Sequence, residues 1–122
     1  GELIDKITIL EIKSQRMTDA AKLHNVRTEL TLLSETWKAS PFSATDISAE
    51  WAGLRDVNAK LWDIEDRIRD KERDGRFDAE FVELARAVYF SNDERAAIKK
   101  EINTRLGSAL VEEKSYADYT RK

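Results

Sequence analysis

Seven polar side chains fall on or beside the apolar arcs of the helices that their own segments predict, at ~100° per residue. They are Glu11, Asn58, Glu65, Arg86, Arg95, Lys99 and Asn103. Glu11 lies between Ile4 and Ile7, and Asn58 and Glu65 lie near the middle of an arc that includes Leu54 and Ile64. Arg95 and Lys99 fall inside the arc of Ile98, Ile102 and Leu106, and Arg86 sits just beside that of Phe81, Leu84 and Val88. A buried carboxylate without a partner is costly and tends to protonate. The expected resolution is pairing: Glu11 and Glu65 with Arg86, Arg95 or Lys99, and Asn58 and Asn103 on the remaining hydrogen bonds. Such a group can fix how helices pack. It can also line a polar pocket, where Arg86 and Lys99 suit an anionic ligand such as a phosphorylated sugar. Glu11 and Glu65 could act as an acid–base pair across an open cleft, although any two inward acids allow that assignment.

Other chemistries find little to build on. The chain has no Cys, which removes disulfides, thiolate zinc sites and cysteine nucleophiles. A serine triad could use only His24, which falls opposite the apolar seam of its helix and is expected at the surface. Carboxylate-bridged di-iron needs Glu-x-x-His pairs that are missing. Asp63, Glu65 and Asp66 could be read as a magnesium site, but Asp63–Arg67 and Glu65–Arg69 are ordinary i,i+4 pairs. The four glycines are isolated, so no phosphate loop forms. No cofactor is expected, and no catalytic residue is assigned.

The elements that must position these side chains are helical throughout. Leu3, Ile4, Ile7, Leu10 and Ile12 predict a first helix over about residues 2–17, with Glu2 and Asp5 favoured in its first turn by the helix dipole. Thr18 or Asp19 then caps a second helix that runs to Ala39 and is stopped by Ser40-Pro41. Its stripe of Leu23, Val26, Leu30, Leu33 and Trp37 is a narrow coiled-coil-like seam. Ser43-x-x-Asp46 reads as a capping box for a long third helix ending at Asp74-Gly75. A short fourth helix follows Asp78. A second box, Ser91-x-x-Glu94, predicts a fifth helix reaching about Tyr116. The fold class is therefore all-α. One domain of 122 residues is expected, an antiparallel helical bundle of about five helices with two long rods.

Narrow seams in so short a chain leave apolar edge exposed. Leu23, Val26, Leu30, Leu33, Trp37, Trp51 and Trp62 are the candidates for covering it in a homodimer. A further protein partner would use the same edge. The net charge is −3, with the acids concentrated over residues 46–94 and a slight basic excess over residues 95–122. No basic run exceeds two residues, so nucleic acid is not expected as a partner. Tyr116 and Tyr119 among Lys114, Arg121 and Lys122 could stack single strands, but a tail docked on the helices is the simpler reading. No stretch approaches the ~18 apolar residues of a membrane span. With no Cys and no visible signal peptide, a cytoplasmic location is expected.

Several blocks resemble a small bacterial family of all-helical proteins of unknown function. They are the opening Gly1-Glu2-Leu3-Ile4-Asp5-Lys6-Ile7-Thr8-Ile9-Leu10-Glu11-Ile12-Lys13, then Val57-Asn58 with Leu61-Trp62-Asp63-Ile64-Glu65-Asp66. Phe81 to Tyr89, Asn92 to Ala96, Lys99, Ile102-Asn103, Glu113 to Tyr116 and Tyr119 continue the likeness. It covers nearly the whole chain except a spacer over about residues 37–50. The resemblance implies a few residues ahead of Gly1 and carries no catalytic role. Its blocks contain all seven of the polar residues selected above.

Overall fold

In a computed structural model, residues 1–107 are described, and they form four α-helices and one 3-10 turn with no strand among them. The helices are α1 (Glu2–Arg16), α2 (Ala20–Ala39), α3 (Ser48–Asp74) and α4 (Ala79–Gly107). The turn, Pro41–Ala44, separates α2 from α3. Asp19 caps α2, its Oδ1 accepting from the Lys22 amide at 3.0 Å. Asp78 does the same for α4, accepting from the Phe81 amide at 3.1 Å.

Two capping assignments differ from expectation. Ser43 lies in the 3-10 turn, where its hydroxyl donates to the Ser40 carbonyl at 2.8 Å. The N-cap position of α3 is Ile47, which offers no side-chain cap, and Asp46 just ahead of it accepts from the Ser48 amide at 3.0 Å and the Ser48 hydroxyl at 2.7 Å. Ser91 is 3% exposed in the interior of α4, so the expected fourth and fifth helices are one. Leu84, Ser91 and Ile98 follow each other at seven-residue steps, and the face never changes phase. No proline or glycine interrupts Ala79 to Leu106. The expected continuation to Tyr116, and the Tyr116/Tyr119 tail, lie outside the described residues.

α3 and α4 run in opposite directions. Glu50 meets Arg105, Lys60 meets Glu94 and Arg67 meets Glu80, so partners on α4 come earlier as α3 advances. At ~1.5 Å per residue each helix is roughly 40 Å long. The turn between them closes with a Schellman motif: the Gly75 amide donates to Glu72 and the Arg76 amide to Lys71, at 3.1 and 2.9 Å. Gly75 has φ 67°, where a Cβ is strained, although one would meet no neighbour within 4 Å. Gly75→Ala is therefore expected to lower the unfolding free energy by about 1–2 kcal/mol through the backbone alone, measurable by urea denaturation.

α1 packs on both α2 and α3. Ile4 joins Ile47, Leu54, Val57 and Ile102 in the principal core, with Trp37, Trp51, Ile98 and Leu106 packed against it. Trp37 of α2 stands edge-on to Trp51 of α3, with ring centroids 6.0 Å apart. Along the α2 seam Val26 is buried, while Leu23, Leu30, Leu33 and Trp37 are half-buried, as are Trp51 and Trp62 on α3. Part of the apolar edge assigned to a partner copy is thus already covered within the chain.

Candidate functional site

The inward polar group assembles where α1 crosses α3 and α4, and its centre is Asp5. This residue is 4% exposed and carries the helix dipole's preferred charge in the first turn of α1. Arg95 of α4 grips its carboxylate with both arms of the guanidinium. Nε donates to Oδ1 at 3.0 Å and Nη2 to Oδ2 at 2.5 Å. Asn58 of α3 supplies the third donor, its Nδ2 giving one hydrogen to Asp5 Oδ1 and the other to Thr8 Oγ1, both at 2.9 Å. The Thr8 hydroxyl in turn donates a hydrogen bond to the Asp5 carbonyl at 2.8 Å, and Thr8 is fully buried. Three helices are therefore tied through one carboxylate.

Lys99 borders the group at 3.8 Å from Asp5 Oδ2 and also pairs with Glu2. The Gly1 amine donates to Asn103 Oδ1 at 2.5 Å. Gly1 approaches α4 so closely that a Cβ there would stand 2.7 Å from the Lys99 carbonyl oxygen. Burial alone would raise the Asp5 pKa. The hydrogen bonds from Arg95 and Asn58, with the charges of Arg95 and Lys99, outweigh it and hold the pKa below the ordinary value. The same contact raises Arg95. A carboxylate held in this way stays ionised near neutrality and is a poor proton acceptor there. The geometry suits clamping helices better than moving protons.

The expected members divide. Asn58 and Arg95 are in the group, Lys99 is at its edge, and Asn103 meets the start of α1. Glu11 stands apart, its Oε1 buried without a hydrogen bond and 3.9 Å from Arg55 Nη1. Glu65 is exposed. Arg86 is also exposed, and it lies over the Phe90 ring at 5.8 Å. Neither expected carboxylate is the one that Arg95 holds. The acids read as a magnesium site are occupied differently: Asp63 pairs with Arg16 and Asp66 with Arg69, each at 2.5 Å. Arg67 turns to Glu80 instead of Asp63. Among the described residues no cluster of acids, His or Cys could hold a metal ion. His24 is exposed.

Asp5, Thr8, Lys71 and Arg55 were not anticipated. Asp5, Thr8 and Ile12 form a second inward stripe on α1, and the buried Ile12 beyond the main arc was its signal. Lys71 is 8% exposed at the α3–α4 turn and pairs with Asp78 at 3.0 Å and Glu80 at 2.7 Å. Those hydrogen bonds, Glu80 first, raise its pKa. Two clefts open elsewhere. One of about 490 Å³ is lined by Trp37, Trp51, Asp46 and Arg55 among others, and a smaller one of about 160 Å³ by Lys71, Arg67 and Glu80 among others. Asp5, Thr8, Asn58 and Arg95 line neither.

These features define an all-helical protein whose three packed helices are clamped by a buried ion pair. Over residues 1–120 the chain matches the model of a family described as a family of unknown function, DUF6165, and it belongs to that family. No curated protein and no solved structure matches it. No helix among the described residues is long and apolar enough to cross a membrane.

Proposed function

We propose that this protein is a non-catalytic helical interaction module that acts as a homodimer, with the buried polar group holding its shape. The observation that carries this reading is the outward face of α4. Val82, Tyr89 and Phe90 are 54%, 72% and 62% exposed. Large apolar side chains gathered at one surface mark contact sites more often than isolated ones do. The inward group supports the same division of labour, because its acid, amide and guanidinium satisfy one another.

Binding of a small anionic ligand by that group gains no support from its geometry. Arg95 and Lys99 already carry acid partners, and the cations that line the open clefts are others: Arg55 at the larger, and Arg67, Lys71 and Arg76 at the smaller. Sedimentation equilibrium at micromolar concentration tests the module reading. The wild type should associate, and Val82→Lys with Tyr89→Lys should dissociate it while leaving helicity unchanged and removing the concentration dependence of the melting temperature. A wild type that stays monomeric throughout that range contradicts the proposal.

A further inference from the structure

On the reading above, the partner surface is α4 itself, and its charges specify a register. Val82, Arg86, Tyr89 and Asp93 fall on one face of α4, opposite the buried Leu84, Ser91 and Ile102, and Phe90 flanks them. Arg86 and Asp93 carry opposite charges two turns apart, roughly 10 Å along the axis, too far to pair with each other. Arg86 makes a ring contact with Phe90, and Asp93 has no ion-pair partner among the described residues. The charges turned toward α3 are treated differently, since Glu94 and Glu80 are both paired there.

We infer that two copies pair through this face in antiparallel fashion about a two-fold axis between Tyr89 and Phe90. In that register Arg86 meets the partner's Asp93, Tyr89 meets the partner's Phe90, and Val82 meets the partner's Ala97. An isologous contact repeats each pair, so two Arg–Asp bridges flank an aromatic centre. The Phe90 ring already holds the Arg86 guanidinium in place for the bridge. Flanking positions bring Glu83 to the partner's Ala96 and Ala85 to the partner's Glu94, so neither acid next to the aromatic centre faces another acid. Parallel pairing would instead set Arg86 against Arg86 and Asp93 against Asp93, which is repulsive.

A charge exchange tests the register separately from dimerisation. Arg86→Asp gives a face with two acids, and Asp93→Arg one with two bases. Each variant alone should associate at least about tenfold more weakly than wild type. An equimolar mixture should recover wild-type association, because Asp at position 86 of one copy then meets Arg at position 93 of the other. Circular dichroism of each variant checks that the helices are intact. If wild type associates but the single variants do so equally well, or the mixture stays as weak as they are, this register is overturned and the dimer reading stands. If wild type does not associate, both fall.

Discussion

Asp5→Ala should lower the unfolding free energy by about 3 kcal/mol, because it leaves a guanidinium and an amide facing a gap between three helices. Removing one partner of a buried pair costs about 3–5 kcal/mol, and the partial exposure of Arg95 places this case at the lower end. The side chain of Arg95 is 30% exposed and can turn toward water, whereas that of Asp5 is 6% exposed. The loss should depend on pH in a particular direction. The folded-state pKa of Asp5 is depressed, the hydrogen bonds of Arg95 and Asn58 overcoming the cost of burial. The stabilisation is therefore complete above the ordinary carboxylate range and disappears as pH falls through the folded value. Urea denaturation of wild type and Asp5→Ala should show a constant gap down to about pH 5 that closes below about pH 4. A gap independent of pH would place the effect in packing and not in the ion pair.

Asn58→Asp should be nearly as damaging at neutral pH, on the order of 3 kcal/mol, although it changes one atom's identity. Asn58 gives both amide hydrogens away, to Asp5 and to Thr8. A carboxylate in its place has no hydrogen to give and sets a second negative charge against Asp5. Repulsion between the two raises one of their pKa values, so acid should relieve the variant as the introduced carboxyl protonates and becomes a donor. The deficit relative to wild type should narrow between neutrality and about pH 4. Asn58→Leu provides the contrast. It removes both hydrogen bonds without adding charge, so its deficit of about 1–3 kcal/mol should change much less with pH.

Apolar period and caps carried most of the fold. Asp19, Pro41 and Gly75 mark helix ends where their backbone chemistry requires them. Ser91 misled because Ser-x-x-Glu is only a permissive motif. It caps a helix when the preceding residue leaves helical geometry, and nothing near Ser91 forces that. The unbroken Leu84–Ser91–Ile98 spacing was the stronger signal. At the start of α3 the spacing of Ser43 and Asp46 fits a box, but Pro41 opens a 3-10 turn first, α3 begins after Ile47 without a side-chain cap, and Asp46 holds the Ser48 amide.

The polar group was legible in part for a similar reason. A single wheel assumes that each helix has one neighbour. α1 has α2 on one side and the α3–α4 pair on the other, so its inward surface wraps from Leu10 through Ile4 and Thr8 to Asp5. From the sequence Asp5 therefore stands out only as a charge that the helix dipole favours in the first turn. Glu65 failed in the opposite way. Arg16 at the end of α1 reaches only Asp63, and beyond it Ile64 and Ile68 are just half-buried. An inward position there still meets water. Arg86 turned out to belong to the outer face of α4, which a one-arc wheel for a shorter helix could not resolve.

The division between a structural clamp and a separate contact face can be put to one measurement. Asp5→Leu, Asn58→Leu and Arg95→Met together replace the polar group with apolar side chains of comparable bulk, a change that is often neutral or stabilising for a buried ion pair. Sedimentation equilibrium of this triple variant beside wild type then reads what the group is for. A folded variant with an unchanged association constant is the expected result. A variant that keeps its helices and cooperative melting but no longer associates would place the function in the Asp5 group and contradict the division proposed here.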